Sequence, residues 1–200
     1  NYPNPIDRLR GKTGYGIWIH GRGTPLTPKI TRGCVSLLNA DVDSLDQKVA
    51  LQRTPIIIAQ NLTWTDNATQ PEFIADIAQG TWAWVNGWRQ GQPSRDLYDA
   101  QLYARSSGQD LEQAWIQTQN QRQPYTWMDL RLKDLQIIEG PGYMVSAFTQ
   151  YTLPHGDSGY RRLYWMQVEN SWKIVGEEWV AQDWSFPHYV QVLNQEVQDF

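Results

Sequence analysis

One cysteine, three histidines and no long apolar run set the first limits on this chain. A single thiol cannot form an intrachain disulfide, so Cys34 is either buried or chemically employed. No cluster of His, Cys and Asp has metal-ligand spacing, and neither metal nor cofactor is expected. Lys and Arg number 17 against 21 Asp and Glu, which leaves no basic excess for nucleic acid. No stretch approaches the ~20 apolar residues that span a bilayer, and no secretory leader is visible. The chain opens on Asn1-Tyr2-Pro3-Asn4-Pro5 without a methionine and reads as a processed form or an internal fragment, so a missing leader says little about export. Internal repeats and low-complexity tracts are absent too.

Aromatics, by contrast, are plentiful: eleven Trp and ten Tyr. They supply large apolar area with polar handles. Such a set either packs a core or lines a wide cleft of flat rings suited to sugars or peptides. The composition shifts near residue 60, from Gly, Pro and β-branched residues to Trp, Gln and helical spacing. Turn-rich Asn61–Gln70 suggests a linker at 61–69, between a first unit at 1–60 and a second at 70–182, with an extension at 183–200.

In the first unit, Gly16-Ile17-Trp18-Ile19 reads as a strand ending at His20. Residues 21–32, with two Pro, two Gly and three basic side chains, form a loop. A helix is expected over Asp41–Leu51, with Val42, Leu45 and Val49 on one face and Asn39 or Asp41 as cap. Thr54–Ala59 is β-branched and short, which predicts a buried strand.

The second unit reads as helices, then strands. Thr69-x-x-Glu72 is a capping-box pattern before a helix whose inner stripe is Ile74, Ile77, Thr81, Trp84, Val85 and Trp88. Ser94 can cap a short helix carrying Leu97, Tyr98, Leu102 and Tyr103, and Asp110 with Gln113 opens a third. Strands follow from Met128 through Ile138, with an irregularity between, then over Tyr143–Leu153, Tyr160–Glu169 and Trp172–Val180. His155–Gly159 and Asn170-Ser171 are turns. The fold class is α+β: a partial, mostly-β unit followed by a cone of three helices on a curved antiparallel sheet.

Chemistry concentrates at two short segments, Ile17-Trp18-Ile19-His20-Gly21 and Thr31-Arg32-Gly33-Cys34-Val35-Ser36. A thiolate is the attacking species, so a nucleophilic Cys34 needs a base or a positive neighbour. His20 can take the proton, Arg32 adds charge, and Gly33 lets a substrate carbonyl approach backbone N–H groups. The alternative is plainer: a Cys among apolar residues is often a small buried hydrophobe, and His20 simply ends a strand. In the second unit Asp99, His155 and Glu178 are isolated, and no acid–base pair stands out.

The order of these segments resembles the YkuD-type L,D-transpeptidase catalytic domain, in its carboxy-terminal half. Ile-x-Ile-His-Gly, the loop, Thr31-Arg32-Gly33-Cys34-Val35, Asn39-Ala-Asp-Val-Asp-Ser-Leu45 and Thr54-Pro55-Ile56-Ile57-Ile58 carry the resemblance over residues 1–59. Tyr2-Pro3-Asn4, Asp7 and Gly14-Tyr15-Gly16 are similar to the branch of murein L,D-carboxypeptidases. The chain departs from many members at Arg32, where they carry histidine, and at Ser36, where they carry arginine or asparagine. The resemblance implies that Cys34 is the acyl-forming nucleophile, His20 its base and the Gly21 carbonyl the group that orients the imidazole. Thr31, Arg32, Gly33 and Ser36 would then flank the substrate.

The second unit resembles the nuclear transport factor two-like (SnoaL-like) fold through Trp82-Ala-Trp84 and Trp88, Tyr98 and Tyr103, Ala114-Trp115, Phe148-x-Gln150-Tyr151, Leu163-Tyr164-Trp165, Trp172–Val175 and Glu178-Trp179. That fold hosts both enzymes and plain binding pockets. Tyr98, Trp115, Tyr151, Trp165 and Trp179 are candidate pocket residues. Together the resemblances imply an exported, periplasmic enzyme acting on peptidoglycan stem peptides as a transpeptidase or carboxypeptidase through a thioester. They imply no nucleic-acid partner, no membrane span, and a possible homodimer through the second unit. The rival class is a non-catalytic binding or dimerisation protein.

Overall fold

The computed structural model describes residues 3–12, 14, 16–23, 25–27, 31–50, 53–58, 61, 71–121, 130–152 and 158–181. The fold is α+β, with a two-stranded and a four-stranded sheet. Helix α1 (Pro5–Leu9) leads into strand β1 (Ile19–Arg22), strand β2 (Val35–Leu38) and helix α2 (Asn39–Asp46). Helices α3 (Glu72–Arg89), α4 (Ala100–Ser107) and α5 (Leu111–Gln121) then precede strands β3 (Leu130–Gly140), β4 (Tyr143–Thr152), β5 (Ser158–Val168) and β6 (Ser171–Ala181).

Those last four strands form an antiparallel meander in the order β3-β4-β5-β6. Alternation along them sends one set of side chains to each face. Met144, Phe148, Leu163, Trp165 and Ile174 meet Ile77, Trp84, Val85 and Trp88 of α3 and Leu111 and Trp115 of α5 in the main core. The inner stripe of α3 is as expected, except that Ile74 is only half-buried. The expected irregularity in β3 is a register shift between Lys133 and Gln136, where Asp134 takes φ 56°. Glu169 and Asn170, with φ 47° and 69°, make the tight turn from β5 to β6. Two residues of positive φ match the right-handed twist of the flanking strands.

The short helices are set by their caps. Ser94 caps a 3-10 turn at Arg95–Leu97, and Asp99 accepts from Leu102 N at 2.9 Å to start α4. Gly108, at φ 71°, ends α4. Asp110 accepts from Glu112 N at 2.9 Å to open α5. His155 and Thr69 lie outside the described residues, and the expected capping box at Thr69 and Glu72 is not formed: α3 begins at Glu72 itself, with Pro71 in the cap position and no side-chain cap bond.

Three expectations fail in the first unit. The strand expected over residues 16–19 and ending at His20 runs Ile19–Arg22 instead, so Gly21 and Arg22 belong to it and not to the loop. The helix runs Asn39–Asp46 rather than from Asp41 to Leu51, and its cap position is Leu38, which offers no side-chain bond. Thr54–Ile58 is exposed and forms no strand: Ile56 and Ile58 are 65% and 70% accessible. β-propensity expresses packing against cross-strand neighbours, and among the described residues no strand pairs with this run.

Helix α1 was not anticipated. Asn4 accepts from Asp7 N at 2.9 Å, Asp7 accepts from Asn4 N at 3.2 Å, and Pro5 occupies the first turn. Five residues cannot hold a helix alone, so tertiary contacts fix it. Ile6 is 1% exposed and joins Val145, Ala147, Tyr160, Tyr164 and Val175 on the outer face of the sheet. Arg8 Nε donates to Ser106 O, and Arg10 Nη2 donates to Pro141 O at 2.5 Å. A Cβ at Gly176 would collide with Pro5 Cβ. The first unit is thus seated on the second.

Ile6→Ala should cost about 2–5 kcal/mol, the range for truncating a fully buried aliphatic side chain. A single, earlier thermal transition is the expected result. An unchanged midpoint would mean that α1 contributes nothing to the core.

Candidate functional site

Strands β1 and β2 pair in parallel, with Ile19 opposite Val35, His20 opposite Ser36 and Gly21 opposite Leu37. Val35 N donates to Trp18 O at 2.8 Å and carries the pairing one residue towards Cys34. The His20 ring makes two contacts. Nδ1 lies 3.2 Å from Gly21 O and Nε2 lies 3.1 Å from Ser36 Oγ. A carbonyl only accepts, so Nδ1 carries the proton in that contact and Nε2 presents its lone pair to the Ser36 hydroxyl.

Cys34 is half-buried, and its thiol donates to Gly16 O at 3.8 Å. Thr31 Oγ1 donates to Cys34 O at 2.7 Å, closing the turn from which the thiol projects. Arg32 and Gly33 are exposed in that turn. Gly33 has φ 131°, and a Cβ there would lie 2.7 Å from Ile17 Cδ1. Only glycine fits this approach. Gly21 is similarly constrained, because a Cβ would strike Asn39 Oδ1 at the start of α2.

The structure therefore brings His20, Gly21 and Ser36 into one hydrogen-bonded set, with Thr31 bonded to Cys34 close by in sequence. Cys34 lies just before β2, two residues ahead of Ser36, and its thiol is bonded to the Gly16 carbonyl while the His20 ring is bonded to Gly21 O and Ser36 Oγ. Among the described residues no group of three or more His, Cys, Asp or Glu converges as metal ligands would.

The second unit carries a different polar cluster, at its centre. Arg161 on β5 and Glu177 on β6 form an ion pair at 3.2 Å with side chains only 7% and 10% exposed. Glu177 Oε1 accepts from Tyr98 OH at 2.5 Å and from Trp84 Nε1 at 3.2 Å. Arg161 Nε donates to Gln150 Oε1 at 3.2 Å. Its guanidinium lies 5.4 Å from the ring centroid of Trp84 and 5.0 Å from that of Trp179. Burial, then the Glu177 charge, pushes the Tyr98 hydroxyl well above its ordinary pKa. Tyr103 is raised by the same two causes in the same order, against a lowering by Arg161. On the outer face, burial and then Glu178 raise Tyr164, whose hydroxyl donates to Glu178 Oε2 at 2.5 Å.

Of the five candidate pocket residues, Tyr98, Trp115 and Trp165 are sealed in the core, while Tyr151 and Trp179 are half-buried. Trp165 Nε1 donates to Ser146 Oγ at 3.0 Å. Asp99 serves as a helix cap, and Glu178 pairs with Arg162 at 3.2 Å. The Arg161–Glu177 pair was missed in the sequence. Its signal was present: charged residues interrupt inward-facing positions of two strands, beside Leu163, Trp165 and Trp179.

Residues 2–58 match the family model of the YkuD L,D-transpeptidase catalytic domain. This is an enzymatic family of peptidoglycan-related, cell-wall function, and the match covers the His20–Cys34 segment. No curated protein matches the chain. Among solved structures, Bd1075 of Bdellovibrio bacteriovorus is similar at 25% identity and a TM-score of 0.64, over 92% of this chain and 68% of that one. The helical cell shape determining protein Pgp2 of Campylobacter jejuni is similar at 24% identity and a TM-score of 0.52, over 89% of this chain and 66% of that one. The chain thus spans about two thirds of the length of either. No helix among the described residues is long and apolar enough to cross a membrane.

The raised tyrosines give a pH signature. Each holds its proton more tightly folded than unfolded, where it titrates near ~10. Stability should be unaffected by these groups below about pH 10 and should fall as pH rises past it, because only the unfolded chain releases their protons. Tyrosinate absorbance followed against far-ultraviolet circular dichroism tests this. Tyr98, Tyr103 and Tyr164 should ionise only as the fold is lost. Complete tyrosine ionisation near pH 10 with the fold intact would contradict the burial of these hydroxyls.

Proposed function

We propose that this chain belongs to a cysteine-dependent, periplasmic peptidoglycan enzyme, an L,D-transpeptidase or L,D-carboxypeptidase acting on murein stem peptides. The observation that carries the reading is the parallel register of β1 and β2, which sets the His20 ring, bonded to the Gly21 carbonyl, opposite Ser36, two residues along the chain from Cys34. It lies within the segment that matches the L,D-transpeptidase model.

In this reading the Cys34 thiol gives its proton to His20 Nε2 and sulfur bonds to the carbonyl carbon of the stem-peptide amide. The C–N bond breaks, and the leaving amine takes the proton from the imidazolium. A thioester remains. Water or a second amine opens it, His20 taking the nucleophile's proton and returning one to sulfur. The nucleophile used decides between carboxypeptidase and transpeptidase. Gly21, whose carbonyl accepts from Nδ1–H, keeps the basic nitrogen turned to the reaction. Thr31 holds the Cys34 carbonyl, and Arg32 and Gly33 sit at the exposed rim where a developing oxyanion would be met.

The second unit, in this reading a nuclear transport factor two-like module, would bind glycan or stem peptide through half-buried aromatic faces such as Tyr151 and Trp179, or mediate self-association.

Cys34→Ala in the full-length protein should lower turnover of murein stem peptides by roughly 10³-fold or more and leave the melting curve unchanged. It should also abolish the mass increase left by a carbapenem, whose strained amide acylates a nucleophilic thiol. An adduct persisting in Cys34→Ala would remove Cys34 from the nucleophile's role.

A further inference from the structure

We propose that Ser36 is a positioning residue: its hydroxyl occupies the basic nitrogen of His20 in the resting chain, and the Cys34 thiol takes its place there when a substrate draws the thiol off the Gly16 carbonyl. The proposal rests on the functional reading above for its purpose, but its geometry stands independently of it.

Both partners of the thiol–imidazole pair are bonded elsewhere. His20 Nε2 accepts from Ser36 Oγ at 3.1 Å, and Cys34 Sγ donates to Gly16 O at 3.8 Å. With Nδ1–H spent on Gly21 O, Nε2 is the only lone pair the ring has to offer. Ser36 holds it by right of register, since it stands directly opposite His20 in the parallel pair. Ordering that contact requires no loop to close. Cys34 lies outside the strand, after Gly33 at φ 131°, in a turn clamped by Thr31. The resting arrangement therefore holds the thiol and the imidazole each on another partner, and the exchange at Nε2 costs one hydrogen bond.

The closing experiment needs no stem peptide. Cys34 is the chain's only thiol, so its alkylation by iodoacetamide can be followed by mass spectrometry at one fixed pH. Ser36→Ala frees Nε2 for the thiol and should speed alkylation by roughly three- to tenfold, the factor that a net neutral hydrogen bond carries. Ser36→Thr, which keeps the hydroxyl, should return the rate to that of the parent. In a His20→Ala background Ser36→Ala should have no effect. The Nε2 resonance of ¹⁵N-labelled His20 should shift in Ser36→Ala and not in Ser36→Thr, which separates loss of the hydroxyl from loss of the fold. An unchanged or slower rate in Ser36→Ala overturns the proposal, and so does an acceleration that survives removal of His20. A protein that shows the predicted alkylation pattern but leaves stem peptides untouched fails the functional reading alone. One that turns them over with alkylation indifferent to Ser36 fails this inference alone.

Discussion

The buried pair of Arg161 and Glu177 is the constraint around which the second unit is arranged. Taking two charges out of water costs several kcal/mol each, and their attraction offsets this only if the remaining donors and lone pairs are satisfied. Here that requirement draws in α3 through Trp84, the start of α4 through Tyr98, and β4 through Gln150, besides the strands that carry the charges. Trp84 and Trp179 lie against the guanidinium and exclude water from it. Hydrogen bonds are directional where apolar contacts are not. The pair therefore fixes how helices and sheet meet, and losing one partner would leave the other charge stranded at a cost of about 3–5 kcal/mol.

The outer face of the same sheet carries the first unit. Burial of Ile6 anchors α1, and Arg8 reaches the carbonyl of Ser106, whose hydroxyl in turn bonds to Val175 O. At the far side of the paired strands, Arg53 meets Asp134 at 3.2 Å and lies 5.8 Å from the Tyr160 ring centroid. Both side chains of that ion pair are about half exposed, so it contributes little to stability. Among the described residues, the first unit thus meets the second through an apolar anchor at α1 and a weak tether at Arg53. Asp134 reaches Arg53 from the bulge in β3, which turns an irregularity of the sheet into a contact.

Periodicity made the stripe of α3 and the break in β3 legible from sequence, and the turn between β5 and β6 to within one residue (expected at Asn170-Ser171, found at Glu169–Asn170), because each is a local property of the chain. His20 and Cys34 were legible as residue types in a recognisable order. Their contacts were not. That Nε2 faces Ser36 follows from the register of a parallel pair joined across a loop, and no local rule sets such a register. Arg161 and Glu177 escaped for the same reason: they meet only when two strands align. The β-branched run at 54–58 misled, since a strand exists only with a neighbour to pair with. Helix α1 is too short for periodicity, and its capping residues Asn4 and Asp7, flanking Pro5, were the one cue available.

Gly176 is a socket. It lies on β6, one residue from Glu177, and its missing side chain admits the ring of Pro5. The two faces of one strand thus serve different masters: residue 177 organises the interior of the second unit, and residue 176 receives the first. A methyl group added at 176 would leave the ion pair and the core composition untouched. It would lift the amino-terminal helix and disturb the seating of strands that begin beyond it. In a screen of variants, such a change would be scored as a lesion of the thiol-bearing segment, although it lies at the other end of the chain.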